Sequence, residues 1–332
     1  MGLPDRLALT DLPTPLHELP RFSEAVGARV LMKRDDVGGP GVAGNKVRKL
    51  ERTLAAAREE GVDAVVTVGA AQSNHARATA AACARLGWRC RLVLGVPDGD
   101  GTAPEGNVLL DALFGAEVVV AAGTTDWAAL AERAEAEAAA LRDEGCAPLV
   151  LPAGGSTPLG ATGFAAAYAE LLDQLDARGL EPVEVLHASS TGGTHGGLVA
   201  GRELAGRGPA VRGVLVVDGM GGVIGELHAW LAREAFTVAG GAPELALAPD
   251  DLDLEEGFLG EGYGVPTAEG LDAIRLLART EAIVCDPVYT GKALACLVAR
   301  ARAGAYAGGP VVFWHTGGWP AVFTAEHAAA LT

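Results

Sequence analysis

Gly44-Asn45-Lys46-Val47-Arg48-Lys49-Leu50 sits where a strand turns into a helix. Arg29-Val30-Leu31-Met32 is strand-like, Lys33-Arg34-Asp35-Asp36 follows it, and a glycine-rich loop runs from Gly38 to Gly44. The spacing predicts a helix from near Lys46 to about Glu60, with Val47, Leu50, Leu54 and Ala57 as its buried face. Lys46 and Lys49, three apart, share a neighbouring face at the first turn. A lysine at a loop–helix junction is placed to form a Schiff base with a carbonyl. A second lysine beside free backbone N–H groups suits a phosphate. Pyridoxal phosphate (PLP) carries both an aldehyde and a phosphate. The competing reading is a solvated basic helix start.

The same loop holds a decoy. Gly39-Pro40-Gly41-Val42-Ala43-Gly44 matches GxGxxG between a strand and a helix. Dinucleotide binding needs an acid at the end of the next strand, about 20 residues on. That strand, Ala64-Val65-Val66-Thr67-Val68, ends in Gly69-Ala70, so the acid is missing and NAD binding is disfavoured.

At 332 residues the chain is expected to make two domains of roughly 150 residues each. Hydrophobic content of 49% with 20% charge supplies a large core. A net charge of −16 disfavours nucleic acid and anionic membrane as partners. Met1 to Leu16 has no apolar segment of the signal-peptide kind, and no run reaches the length of a transmembrane helix. Five scattered cysteines without CxxC read as reduced residues of a cytoplasmic protein. The histidines lack HExxH or paired-ligand spacing, which argues against a metal.

Strands at Ala64–Val68, Cys90–Leu94, Glu117–Val120, Leu149–Leu151, Val183–Ala188, Val211–Val217 and Pro310–Trp314 alternate with helices. That is a βα series of parallel-sheet type. Gly154 to Gly160 is a composition break, read as a domain crossing, with the next helix from Gly163 to Ala177. The acidic run Asp250 to Glu256 reads as a solubility feature.

Two further junctions carry chemistry. Thr191-Gly192-Gly193-Thr194-His195-Gly196-Gly197 follows a strand and opens a helix. Its backbone N–H groups, with the Thr191 and Thr194 hydroxyls, make an anion cradle suited to a phosphate. A glycine-rich turn without a ligand competes, and His195 alone reads as a packed turn residue. Gln72-Ser73-Asn74-His75 offers N–H groups to a substrate carboxylate, and Ser73 is placed to relay a proton. Ser73 as a plain N-cap competes. Ala71 and His75 flank Ser73 where a GxSxG elbow needs glycines, so a serine hydrolase is disfavoured.

These segments, with Asp286-Pro287-Val288-Tyr289-Thr290-Gly291-Lys292 and His315-Thr316-Gly317-Gly318, resemble the D-cysteine desulfhydrase and 1-aminocyclopropane-1-carboxylate (ACC) deaminase family. That family lies within the fold-type II, tryptophan-synthase-β-like PLP enzymes, and the resemblance spans nearly the whole chain. It implies an α/β fold of two open twisted, mostly parallel sheets flanked by helices. It also implies a small domain over 47–158, a large PLP-binding domain of 1–46 and 159–332, a small amino-acid substrate and a homodimer.

By position, the resemblance implies Lys46 as Schiff-base lysine and α-proton acid/base. Asn74 would meet the cofactor's phenolic oxygen, and Thr316 its pyridine nitrogen. Lys49, Thr191, Gly192, Gly193 and Thr194 would hold its phosphate. Ser73 would face the substrate, Asn74 and His75 would help at its carboxylate, and Tyr263 and Tyr289 would close the site. Two departures stand out: Val47 where the family has threonine, and Gly-Pro-Gly in the Gly38–Val42 loop.

ACC deaminases place Glu after the second tyrosine and Leu after the histidine of the last motif. This chain has Thr290 and Thr316 there, as in the D-cysteine desulfhydrases. A carboxylate near the pyridine nitrogen strengthens the electron sink. Elimination of a good leaving group needs that help less than opening a carbon–carbon bond does. The expected reaction is α,β-elimination from D-cysteine or an analogue such as L-cysteate or β-chloroalanine. The alternatives are ACC deamination to 2-oxobutyrate, a β-replacement synthase, a nucleotide-binding oxidoreductase and a catalytically dead PLP-fold binding protein.

Overall fold

A computed structural model describes residues 5–39, 41, 43–97, 103–218, 222–242 and 245–332. One sheet has six strands: β1 (Leu16–Glu18), β2 (Val30–Arg34), β7 (Glu184–Ser189), β8 (Ala210–Leu215), β9 (Asp253–Glu255) and β10 (Val311–His315). Their order is β1-β2-β10-β7-β8-β9. The other has β3 (Ala64–Ala70), β4 (Arg89–Val96), β5 (Glu117–Ala122) and β6 (Pro148–Leu151), in the order β5-β4-β3-β6. The β1–β2 pair is antiparallel and the rest are parallel.

A parallel strand covered on both faces reads as a continuous apolar run, and β10 does so. Its alternation decides which residue faces which layer. Val311 and Phe313 pack with Phe22, Leu277 and Leu294 of α1 (Pro20–Val26), α9 (Ala268–Glu281) and α10 (Thr290–Arg302). Val312 and Trp314 face the other way, onto Phe164, Leu198 and Ala229 of α6 (Pro158–Asp176), α7 (Gly193–Ala205) and α8 (Val223–Val238). In the smaller sheet, α2 (Asn45–Glu59) and α3 (Asn74–Leu86) cover one face through Leu50, Leu54 and Ala76. Leu130, Ala134 and Leu141 of α5 (Trp127–Asp143) cover the other. Thus α2 leaves a strand of the large sheet and packs on the small one. Val47, Leu50, Leu54 and Ala57 are its buried face, as their spacing predicts.

Three expectations change. The helix after the 154–160 break starts at Pro158, not Gly163. Thr157 caps it by accepting from the Gly160 N–H (3.0 Å), and Pro158 supplies a preset first turn. Gly163 lies inside the helix, where a Cβ would clash with the Arg48 carbonyl of α2. Second, the acidic run contributes an edge strand, β9, whose Glu255 reaches Arg212 (3.5 Å) and Arg300 (3.6 Å). Third, β1, α1 and α11 (Ala325–Leu331) carry too short a pattern to be read from sequence. Pro40 and Val42 of the GxGxxG match, and with them part of the Gly38–Val42 departure, lie outside the described residues. No helix among the described residues is long and apolar enough to cross a membrane.

β2, β3, β6, β7 and β10 release the chain at their carboxyl ends into the segments 44–46, 73–75, 153–156, 190–194 and 316–318. In open parallel sheets that end is where ligands bind.

Candidate active site

Lys46 stands in the first turn of α2. The start of that helix is tied by main chain to two strand exits. Gly44 donates to the Asp35 carbonyl (2.8 Å) and Asn45 to the Thr316 carbonyl (3.0 Å). Gly44 (φ 113°) and Gly317 (φ 91°) touch, and a Cβ on Gly317 would lie 2.8 Å from the Gly44 Cα. The Lys46 and Lys49 amines perturb each other's proton affinity. Burial brings the Lys46 amine down to about 8; the Lys49 hydrogen bond opposes this and the Arg77 charge adds to it. Burial, then the Lys46 charge, holds Lys49 well below the ordinary lysine range. A lysine near 8 is roughly one-tenth uncharged at pH 7, more than about a hundred times the fraction of an ordinary lysine, and that fraction is nucleophilic.

Lys49 reaches across to the β6 exit, donating to the Gly154 carbonyl and to Ser156 Oγ (3.1 Å). Ser156 is a junction. Its hydroxyl also meets Thr191 Oγ1 (2.8 Å) and accepts from the Gly193 N–H (3.2 Å). Thr194 Oγ1 accepts from Asn45 Nδ2 (2.9 Å). So Lys49 and the N-terminus of α7 converge on one spot, with no carboxylate hydrogen-bonded there among the described residues. Gly192 is left-handed (φ 81°), and a Cβ on it would meet His228 Nδ1 at 2.9 Å. His195 is packed inward, fully buried, with its Nδ1 3.2 Å from His187 Nε2.

At the start of α3, Ser73 is the N-cap and accepts from the Ala76 N–H (3.2 Å). The His75 ring turns into the core, its Nε2 2.8 Å from Thr67 Oγ1. Thr67 donates to the Leu151 carbonyl (3.0 Å), so the proton of the His75–Thr67 bond belongs to His75 Nε2. Burial first, then the two lysine charges, keeps this ring neutral. What His75 offers a ligand is therefore its backbone N–H. Asn74 accepts from Asn107 Nδ2 (2.9 Å) and turns its Nδ2 toward Gly318.

Across the site, the Tyr263 and Tyr289 hydroxyls hydrogen-bond to each other, rings edge to face at 5.9 Å. Burial raises both phenols, so both keep their protons at neutral pH. Asp286 fixes Tyr289 by accepting from its N–H (2.7 Å) and from that of Val288 (2.9 Å). Thr290 is fully buried and donates its hydroxyl to Asp286 (2.6 Å). The Thr316 hydroxyl has no hydrogen-bond partner among the described residues, and Gly318 must lack a Cβ, which would lie 2.5 Å from Asp286 Oδ1.

A family model described as "Pyridoxal-phosphate dependent enzyme" matches residues 7–317. The chain belongs to the pyridoxal-phosphate dependent enzyme family. It is 38% identical, over 96% of its length and 95% of the relative's, to a D-cysteine desulfhydrase of Klebsiella pneumoniae (strain 342). A crystal structure of an ACC deaminase homologue superposes with a TM-score of 0.88 at 36% identity, covering 99% of this chain and 95% of the other. A fungal L-serine ammonia-lyase from Rhizomucor miehei shares the fold, with a TM-score of 0.67 at 18% identity over 97% of this chain and 98% of that one. This PLP-dependent enzyme is thus a lyase built on the fold-type II architecture.

Sequence reasoning missed Ser156 and Asn107 in this PLP enzyme. Ser156 had a signal, since Gly154-Gly155-Ser156 closes a strand as the other site segments do, but it was read as a domain crossing. Asn107 had none. Val47 lies in the core under α2 (1% exposed), packed with Leu50 and Leu54.

Proposed function

We propose that this lyase carries out α,β-elimination on a small β-substituted amino acid. D-Cysteine is the first candidate, giving pyruvate, sulfide and ammonia; L-cysteate and β-chloroalanine are close analogues. The observation that carries the reading is the 38% identity over 96% of the chain to a D-cysteine desulfhydrase. Thr290 and Thr316 support it, because neither brings a carboxylate and the Thr290 hydroxyl is engaged by Asp286.

The residues fit PLP. The convergence of Lys49, Thr191, Gly192, Gly193 and Thr194 suits a phosphate: an amine and helix N–H groups with no acid among them. A Cβ on Gly193 would fill that space, 2.7 Å from Ser156 Oγ and 3.1 Å from Lys49 Cδ. Asn74 would donate to the phenolic oxygen, and the Thr316 hydroxyl would meet the pyridine nitrogen. PLP bound there supplies an aldehyde for Lys46 and an electron sink for charge left at the substrate Cα.

The chain's own residues do the rest. Freed Lys46 Nζ takes the α-proton, and its lowered amine is neutral enough to do so. Ser73, with the N–H groups of Asn74 and His75, binds the substrate carboxylate at the start of α3. Tyr263 or Tyr289 donates a proton or hydrogen bond to the leaving group. On this reading 47–158 is a small domain that, with 1–46 and 159–332, encloses the site. The same reading carries a homodimer in the cytoplasm, implied by the family resemblance; a monomer in light scattering at micromolar concentration contradicts the dimer.

Lys49→Ala should leave the fold intact and weaken PLP retention. A charge-assisted contact is worth roughly 1.5–3 kcal/mol, or about 10- to 150-fold. Unchanged retention on dialysis rejects the phosphate role.

The 36% identical ACC deaminase homologue supports a second reading, ACC deamination to 2-oxobutyrate. A panel of D- and L-cysteine, L-cysteate, D- and L-β-chloroalanine and ACC, assayed for 2-oxo acid, separates the two. Turnover of ACC alone overturns elimination. So does consumption of a β-substituted substrate only when a second nucleophile is supplied, which would mark a β-replacement synthase.

A further inference from the structure

Asn107, in the first turn of α4 (Gly106–Leu113), hydrogen-bonds to Asn74 and Gln72 of the motif segments and to Arg77. It is completely buried. Its amide orientation is unambiguous, because two of its partners work in one direction only. The Gln72 carbonyl accepts from Nδ2 (2.9 Å), and Arg77 Nε donates to Oδ1 (3.2 Å). The remaining N–H of Asn107 therefore points at Asn74, which must answer with an acceptor, Oδ1 (2.9 Å). That leaves Asn74 Nδ2, with both hydrogens, facing the space beside Gly318, 3.2 Å from where a Cβ on that glycine would stand.

The anchor at the far end is as firm. Arg77 is 1% exposed, and its Nη1 donates to the Gly41 carbonyl and to the Ala43 carbonyl (2.9 Å), main-chain groups just ahead of Lys46. Asp111, one turn beyond Asn107 on the same helix, is fully buried with neither carboxylate oxygen hydrogen-bonded among the described residues. Burial pushes the Asp111 carboxyl up to about 7, against the pull of the Arg77 charge.

We propose that Asn107, held by Arg77, is a positioning residue that locks the Asn74 amide with its N–H₂ group turned to the cofactor, so that Asn74 can only donate to the phenolic oxygen. The inference rests on the PLP reading of the site. Its physical consequence is specific. A donor on the phenolic oxygen dilutes that oxygen's negative charge, and the nitrogen of Lys46 bound beside it then holds its proton less firmly. With Asn107 removed, Asn74 is free to flip and present its oxygen, and the proton is held more firmly.

The test uses purified PLP-loaded protein and three variants: Asn107→Leu, Asn74→Ala and the double. The readout is the midpoint of the pH titration of the cofactor's visible absorption, with PLP retention alongside. Asn107→Leu is expected to raise the midpoint by about one pH unit, tenfold in proton affinity. In the Asn74→Ala background it is expected to add no further shift, because it acts through Asn74. An equal shift in both backgrounds, or none in either, overturns the proposal. Should Asn107→Leu fail to fold, Asn107→Asp replaces it, since it keeps an acceptor for Arg77 and loses both donors. Its added charge acts in either background, so the proposal then requires a larger shift with Asn74 present; equal shifts refute it. A parent protein that takes up no PLP and shows no visible band removes the cofactor reading and this one together. A parent with the band but without the coupling removes this one alone.

Discussion

Lys46→Ala is expected to abolish the covalent visible absorption of the PLP-loaded protein and to lower turnover at least about 10³-fold. The size follows from the two tasks proposed for one amine. Positioned acid–base catalysis alone contributes about 10²- to 10⁴-fold, and the covalent anchor is lost as well. The geometry limits rescue from nearby. Lys49 is the adjacent amine, but it is engaged by the Gly154 carbonyl and Ser156 Oγ on the β6 side. The two lysine variants should therefore differ in kind: Lys49→Ala retains less PLP but still attaches it, whereas Lys46→Ala does not attach it. A Lys46→Ala protein that keeps a borohydride-reducible band, or turns over near the parental rate, contradicts the assignment.

Arg48→Met is expected to cost about 3–5 kcal/mol of stability, read as a lower denaturant midpoint. Arg48 is 2% exposed and its guanidinium grips Asp35 through Nε and Nη2, both at 2.9 Å, and Glu170 at 3.0 and 3.1 Å. Once Arg48 is gone, Asp35, 3% exposed, keeps hydrogen bonds from Trp314 Nε1 (2.8 Å) and Thr14 Oγ1 (2.9 Å) and the nearby Lys33 charge, but no ion pair in contact. The cost is that of a poorly compensated buried charge. Asp35→Leu combined with Arg48→Met should therefore lose less than Arg48→Met alone, and equal losses would reject this account.

The pH dependence has a definite sign. Burial raises the Asp35 carboxyl, but the Arg48 charge and hydrogen bond outweigh it and hold the group below its ordinary value. Glu170 is likewise lowered, against burial, by Arg48 and Lys33. Groups depressed on folding contribute stability above their unfolded values, about 4, and lose it as pH falls through the folded ones. The parent should weaken in acid, and Arg48→Met should show a shallower acid loss.

The two-sheet arrangement was implied by the family resemblance, and the β6 exit reads in sequence as a domain crossing. The order of most strands and helices, and the glycine-bounded exits of β2, β3, β7 and β10, were legible from local signals. A buried parallel strand is a short apolar run, a helix face repeats every three to four residues, and a loop pressed against a ligand or another backbone needs glycine. Lys46, Ser73, Thr191 and Thr194 stood out as candidates because each stands at such an exit, and the family resemblance added Asn74 and Thr316. What α2 does with its charges was not legible. Its run of Lys, Arg and Glu reads as a solvated face, yet Arg48, Lys49, Glu51 and Arg52 are all buried. Glu51 alone holds the Leu9 and Thr10 N–H groups at 2.9 and 2.6 Å. Likewise Ser156 meets Thr191 and Arg77 meets Asn107 only because separate strand exits were brought side by side. Local periodicity encodes which face is buried. Which polar group waits there to satisfy a buried charge depends on how sheets and helices dock, so only the tertiary structure decided it.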